Sequence, residues 1–372
     1  MNYRLADKHF YAIIPAGGVG SRLWPLSRAD APKFLLDLTG SGKTLLESTF
    51  ERIVPLTGPD RVFVVTGYAH RAAVKNQLPR VLDTNIFLEP SPRDSTAAIC
   101  VAAAIIARRD PDAIVGSFPA DHLVTAPAEF RHVVREAVEV AKQGYITTVG
   151  ITPTGPSVAF GYIETGDAVD AERFPNARHV SRFVEKPEED VARGFLADGK
   201  HLWNAGMFIA KAQVLLDVLR ENRPRLAEAI DRIADVWGTP EQFVIKDQVW
   251  PDLEKIAIDY SIAEPAARDG KVAVVPGDFG WDDVGDFSAV ARHLANRGSG
   301  SLAILGDRAR VISDRASGIV VGETDRVVAV IGMEDVVVVD TDDALLVTNA
   351  QNAQRIKQMV DFLRASGRGD VL

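Results

Sequence analysis

Phe10-Tyr11-Ala12-Ile13-Ile14-Pro15-Ala16-Gly17-Gly18-Val19-Gly20-Ser21-Arg22-Leu23 joins a short apolar run to a turn carrying three glycines in four positions. The run reads as a buried strand that breaks at Pro15-Ala16-Gly17-Gly18. Glycines accept left-handed backbone angles and leave no Cβ between the backbone and a ligand. Bare N–H groups in such a turn cradle phosphates, and Arg22 supplies a forked cation beside them. Lys33, in Pro32-Lys33-Phe34, adds a second charge eleven residues further on. The dinucleotide spacing GxGxxG is absent, because Leu23 stands where its third glycine belongs. Downstream, Gly40-Ser41-Gly42-Lys43-Thr44 is like the end of a P-loop. Asp37 occupies the place of that motif's first glycine, so the segment reads as a surface turn entering a helix at Thr44-Leu45-Leu46-Glu47.

Outward from the turn, short apolar runs alternate with helix-period segments. Strands are expected at 61–66, 85–88 and 113–118, and an Ala-rich helix at 96–109. Phe130, Val133, Val134, Ala137, Val138 and Ala141 keep the spacing of an amphipathic helix. This alternation predicts an α/β fold: a Rossmann-like, doubly wound, mostly parallel sheet with helices on both faces. The texture changes near Gly298-Ser299-Gly300. From 301 to 343, Val/Ile runs are broken by Gly and Asp with no helical period. That segment reads as a small β-rich domain, compatible with a few coils of a β-helix. It ends in a helix with Ile356, Met359, Val360 and Leu363 on one stripe. The expected domains are 1–297 and 298–372.

Composition narrows the function. With 372 residues the chain exceeds what one core usually serves, in keeping with a large and a small domain. Its 51 acidic and 42 basic residues give a net charge of −9, which argues against a nucleic-acid partner. Small polyanions stay possible, because a few placed cations can hold them. Cys100, the one cysteine, lies in an apolar run and reads as a core residue rather than a nucleophile. No apolar stretch of about 18 residues occurs, nor an apolar N-terminal signal region, so no membrane partner and a cytoplasmic location are expected.

Several motifs together resemble sugar-1-phosphate nucleotidylyltransferases. Ala16 to Leu23, continuing as Trp24-Pro25-Leu26-Ser27-Arg28 and Pro32-Lys33, is similar to the family signature, and its Trp-Pro-Leu-Ser-Arg ending is like the mannose-1-phosphate guanylyltransferase branch. Glu89-Pro90-Ser91-Pro92-Arg93 resembles the segment near the nucleotide base, departing from it at Asp94, Ser95, Thr96 and Ala97. Pro119-Ala120-Asp121-His122, Phe183-Val184-Glu185-Lys186-Pro187, Trp203-Asn204-Ala205-Gly206-Met207-Phe208 and Trp281-Asp282-Asp283-Val284-Gly285 follow in family order. Phe287 stands where the family usually has Trp. The β-rich segment is similar, in texture, to the short β-helical domain of compact bacterial members.

The resemblance implies a reaction and roles. GMP would pass from GTP to α-D-mannose 1-phosphate, giving GDP-mannose and diphosphate. Gly17, Gly18, Gly20, Ser21, Arg22, Lys33, Glu89, Arg93 and Asp121 would meet the nucleotide. Gly161, Glu185, Lys186 and Asn204 would meet the sugar phosphate, and Asp121 with Asp283 would hold Mg²⁺. Arg22, Lys33 and Lys186 would carry the catalytic charges. Physical chemistry agrees, since joining two polyanions requires their repulsion to be neutralised by cations. Asp121 follows a strand, at the carboxyl edge where α/β proteins bind ligands. Asp259-Tyr260-Ser261 resembles a family segment to which no contact is assigned. His122 reads as a turn residue, because an ionised phosphate monoester needs no general base. His9, His70, His132, His179, His201 and His293 show no metal-ligand spacing. Rival readings are another sugar 1-phosphate or nucleotide as substrate, and a silent GDP-mannose-binding regulator. The regulator is disfavoured, because Arg22, Lys33, Asp121, Lys186 and Asp283 are all present. The β-rich appendage is a candidate homodimer interface.

Overall fold

A computed structural model describes residues 7–295 and 301–372, so the Gly298-Ser299-Gly300 boundary lies outside the described residues. The chain divides into two compact units: Met1–Gly17, Thr49–Ala120 and Val124–Trp281 make the first, and Gly18–Ser48, Asp121–Leu123 and Asp282–Leu372 the second.

The first unit is built on a nine-stranded sheet. Its strands are β1 (Phe10–Ala16), β2 (Val62–Gly67), β3 (Ile86–Glu89), β4 (Ile114–Ser117), β5 (Ile146–Ile151), β6 (Tyr162–Asp170), β7 (Phe174–Val184), β8 (His201–Lys211) and β9 (Val272–Pro276). They lie in the order β3-β2-β1-β4-β8-β5-β9-β7-β6. β3, β2, β1 and β4 pair in parallel, as do β5 and β9. β7 and β8 run against the rest, so the sheet is mostly parallel in direction.

Both faces are covered. Successive strand residues point to opposite sides, and β1 shows where each side packs. Ile13 joins a core containing the Ala-rich helix α2 (Asp94–Arg109) together with α4 (Ala212–Asn222) and α5 (Pro224–Asp235). Phe10, of opposite parity, packs edge-on against Phe118, which meets Phe130 of α3 (Pro127–Ala141). All six apolar positions read from the periodicity of α3 are buried. Alanine suits α2 because small side chains let that helix pack closely, and Cys100 is fully buried there with its thiol pushed up to about 12 by desolvation. The thiolate is thus suppressed, as a core residue requires.

In the second unit, β10 (Leu302–Gly306), β12 (Gly318–Gly322) and β14 (Val336–Asp340) stack in parallel, while β11 (Val311–Asp314) and β13 (Val328–Ile331) form a second parallel pair. The chain therefore alternates between two sheets, which is the winding of a β-helix, and β15 (Leu345–Asn349) closes it antiparallel. Gly318 is obligatory: its φ is +119°, and a Cβ would lie 2.0 Å from the Val336 carbonyl oxygen. The core of this unit gathers Val337 and Val339 with Phe287 of α6 (Phe287–Ala295) and with α7 (Ile356–Ala365). The α7 stripe is narrower than its spacing suggests. Ile356 and Val360 are buried, Leu363 is half-buried and Met359 is exposed. α1 (Leu45–Thr57) opens with a reciprocal capping box: the Thr44 N–H donates to Glu47, and the Glu47 N–H to the Thr44 hydroxyl. Asp37 accepts from the Thr39 and Gly42 N–H groups, so 37–44 is a capped turn and not a phosphate loop. No described helix is long and apolar enough to cross a membrane.

Candidate active site

The loop after β1 is shaped by its own backbone. Gly20 has φ of +75°, and a Cβ there would fall 2.5 Å from the Lys33 Cβ. Its carbonyl accepts from the Leu23 N–H and the Ser27 hydroxyl, and the Lys33 N–H donates to the Val19 carbonyl. A Cβ on Gly18 would meet nothing within 4 Å, so internal packing does not demand that glycine. Ser21 and Arg22 open the following one-turn helix, Ser21–Leu23. Arg22 is half-buried and pairs with no carboxylate among the described residues.

Lys33 is the centre of the first cluster. Its side chain is buried, and Nζ donates to Asp121 Oδ2 at 2.8 Å and to the backbone carbonyl of Asp283. Burial alone would raise the Asp121 carboxyl, but the charges of Lys33 and His122 outweigh it and hold Asp121 below its usual value. Asp283 is pushed up to about 6, chiefly by burial; Lys33 opposes the rise while Asp282, Asp121 and Asp286 add to it. Asp121 and Asp283 thus place two carboxylates, hard oxygen donors, about one buried lysine, while Asp282 faces Arg292 at 3.7 Å. A divalent cation such as Mg²⁺ fits this donor set, since it commonly takes one or two carboxylates and completes its shell with substrate phosphate and water.

The second cluster lies where β6, β7 and β8 meet the segment at 259. A Cβ on Gly161 would lie 2.4 Å from Glu185 Oε2, which confines that position to glycine. The Gly161 carbonyl accepts from the Asn204 N–H. Asn204 is buried and orientated on all sides: its Oδ1 accepts from the Thr148 hydroxyl (2.8 Å) and the Gly206 N–H, and its Nδ2 donates to Asp259 Oδ1 (3.0 Å). Lys186 Nζ sits 3.1 Å from Glu185 Oε1 with its side chain exposed. Lys186 also has φ of +46°, an uncommon angle for a residue with a Cβ. Asp259 is pushed up to about 7 by burial and by Glu185, with Lys186 opposing. Sequence reasoning gave Asp259 no contact. Its only signal was the Asp-Tyr-Ser segment itself, because the partner is 55 residues away.

Other residues fall elsewhere. Glu89 ends β3 and is buried, and desolvation pushes its carboxyl up to about 7; its Oε2 would lie 3.4 Å from a Cβ on Gly17. Arg93 donates to the Pro251 carbonyl, which ties its guanidinium to the one-turn helix Trp250–Asp252. His9, Asp110 and Asp112 place one potential ligand atom each within 4.8 Å of one another. They stand before β1 and β4, at the amino end of the strands, whereas α/β ligands bind at the carboxyl end. Trp24 and Arg28 are latched at long range. Trp24 Nε1 donates to the Val371 carbonyl at 2.6 Å. Arg28 donates to the same carbonyl, pairs with Asp343 at 2.6 Å and lies over the Trp24 ring.

Comparison with known proteins decides the family. Residues 11–297 match the nucleotidyl transferase model. The chain belongs to the nucleotidyl transferase family. Residues 309–363 match a mannose-phosphate isomerase/GMP-like β-helix domain. Among curated relatives of this nucleotidyl transferase, the xanthan biosynthesis protein XanB of Xanthomonas campestris pv. campestris is 36% identical over 361 residues, covering 96% of this chain and 74% of the relative. A mannose-1-phosphate guanylyltransferase of Escherichia coli (strain K12) is 33% identical over 369 residues, covering 98% and 75%. The solved mannose-1-phosphate geranyltransferase of Thermus thermophilus superposes with a TM-score of 0.84 at 30% identity, covering 96% of this chain and 99% of that one. This chain is therefore a nucleotidyltransferase enzyme with a β-helix domain at its C-terminal side.

Proposed function

We propose that the enzyme transfers GMP from GTP to α-D-mannose 1-phosphate, releasing GDP-mannose and diphosphate. The observation that carries this reading is the pair of clusters: a lysine among carboxylates beside the glycine loop, and a Glu–Lys–Asn–Asp set suited to a phosphorylated sugar. The names of the relatives support mannose 1-phosphate and the guanylyl group.

A phosphate oxygen of the sugar phosphate attacks the α-phosphorus of GTP in line. The new P–O bond forms as the bond to the leaving diphosphate breaks, with no covalent enzyme intermediate. Backbone N–H groups of Gly17, Gly18, Gly20 and Ser21 receive the nucleotide phosphates, with Arg22 and Lys33 countering their charge. Glu89 and Arg93 lie on the base side. Asp121 and Asp283 would hold Mg²⁺, which when bound neutralises charge on the triphosphate and on the leaving diphosphate. Lys186 aligns the nucleophilic phosphate, while Glu185 and Asn204 accept and donate to sugar hydroxyls above the bare backbone of Gly161. Positioning and charge neutralisation supply most of the acceleration.

In this reading residues 1–297 are the catalytic domain and 298–372 the appendage. The appendage exposes Val327, Ile331, Leu345 and Val347 along one groove, an apolar patch that supports a homodimer. Sedimentation tests that part, and a monomer at working concentration would remove it. The activity is tested by diphosphate release with Mg²⁺, crossing GTP, ATP, UTP and dTTP against mannose and glucose 1-phosphates. Release confined to GTP with mannose 1-phosphate is expected. Release with another pair overturns the substrate, and silence in every combination overturns the reaction.

A further inference from the structure

A cavity of about 1040 Å³ lies along β3, the outermost strand at one edge of the nine-stranded sheet, and shares no residue with either cluster described above. Its charge runs counter to that of the chain. Arg71, Lys75, Arg109 and Lys246 line it against one carboxylate, Asp83, in a protein of net charge −9. Lys75 pairs with Asp83 at 2.5 Å. Arg71 stands near enough to the same carboxylate to help lower it, while among the described residues Arg109 and Lys246 have no carboxylate partner.

Lys246 is the most telling of them. It is only 2% exposed, and Nζ donates to the Tyr68 hydroxyl (2.6 Å) and the Leu88 carbonyl (2.9 Å). An ammonium carries three donors, and its charge here is offset by no acid among the described residues. Aromatic rings surround it: the centroids of Tyr68 and Phe243 lie 4.5 and 5.5 Å from Nζ. Both rings are well exposed within the cavity, at 45% and 55%, and Trp237 lines it too, stacked on Phe87.

A plainer role explains part of this arrangement. An edge strand is a liability for aberrant pairing. Lys246 covers the Leu88 carbonyl, and Trp237 and Arg109 both donate to the Thr84 carbonyl. Edge protection does not account for two cations, Arg71 and Lys75, on the one carboxylate of Asp83, nor for the open faces of Tyr68 and Phe243. Exposed rings offer stacking to a planar base, and four cations against one carboxylate leave an excess of positive charge that offers a place for phosphate. The volume suits a small ligand.

We propose that this cavity binds a nucleoside phosphate, at a site separate from the glycine loop. The experiment is photolabelling of the wild-type enzyme with 8-azido-GTP, 8-azido-ATP and the uncharged 8-azidoadenosine, with labelled peptides mapped by mass spectrometry. Label is expected in segments 68–77 or 237–246 with the triphosphates, and about tenfold less with the nucleoside. Arg71→Glu and Phe243→Ala, both at exposed positions, are each expected to cut that label about tenfold while leaving the thermal melt and the label on segment 10–33 unchanged. Label confined to 10–33 or 89–93 overturns the cavity site and leaves the proposed reaction standing. Label in the cavity segments that neither variant reduces, or that the nucleoside gives equally, also overturns it, as does the absence of label anywhere.

Discussion

The two clusters use the same residue types to opposite ends. In the first, Lys33 is buried and locked onto Asp121 and the Asp283 backbone, so the cation is part of the framework. In the second, the lysine is exposed and the acids lie beneath it: Lys186 reaches out from a strained backbone angle over Glu185, while Asn204 and Asp259 are fixed by hydrogen bonds. A buried lysine bonded twice has little freedom to follow a substrate, which suits constant chemistry on phosphate. An exposed lysine above a rigid polar floor can follow its ligand, which suits grip on a variable sugar. If the contrast is right, substitutions in the first cluster should damage turnover and those in the second should damage affinity.

The largest effect is expected for Asp283→Asn. Turnover should fall by about a hundredfold or more, with the circular-dichroism spectrum unchanged. Near wild-type rates at saturating Mg²⁺ would remove Asp283 from the metal site. Lys33→Met comes next. It strands Asp121 and the Asp283 carbonyl without their donor, so it should lose turnover and also about 1–3 kcal/mol of stability in chemical denaturation. Unchanged stability would mean that Lys33 is not a framework cation. Lys186→Met should leave stability alone and raise KM for the sugar phosphate about tenfold, with a smaller change in kcat. A fall in kcat alone would erase the distinction between the clusters.

The smallest effect is one of pH. Asp259 titrates near 7 in the folded protein against an ordinary value of 3.8. The folded state therefore holds the proton more tightly, so the stability from this group is full below about pH 4 and is lost as the pH rises through 7. Wild-type stability without metal should decline across that interval, and Asp259→Asn should flatten the decline. Glu89, also near 7, should keep part of it. Equal slopes in both proteins would show that Asp259 is not held protonated.

Much of the fold was legible because its signals are local. Ile13 and Ile14 sit in an unbroken apolar run before glycines, and Phe130 to Ala141 repeat at helical spacing, so β1 and α3 follow from periodicity alone. The alternation of the β-rich segment between two sheets was visible only as texture, because pairing partners such as Val320 and Val338 are set by the coil and not by their neighbours in sequence. The candidate clusters were legible where one short motif places one of their residues, as with Asp121 and Glu185. It was opaque where a role depends on a distant partner. Asp259 gains its surroundings from Asn204 and Glu185, and Arg93, which looks free in sequence, is turned onto Pro251. The Met359 position shows the same limit, since helical spacing names a stripe but not how much of it a neighbour covers.

The latch of Trp24 and Arg28 onto Val371 gives the glycine loop a place in time. The loop precedes in the chain the carbonyl that receives both side chains, which lies 347 positions beyond Trp24 and is translated after it. During synthesis the early segment can be present while its fastening is missing, so the segment just after the loop is secured only once the region of Val371 has left the ribosome. A nascent chain halted short of that point would carry the whole glycine motif and still lack the tie that holds its flank.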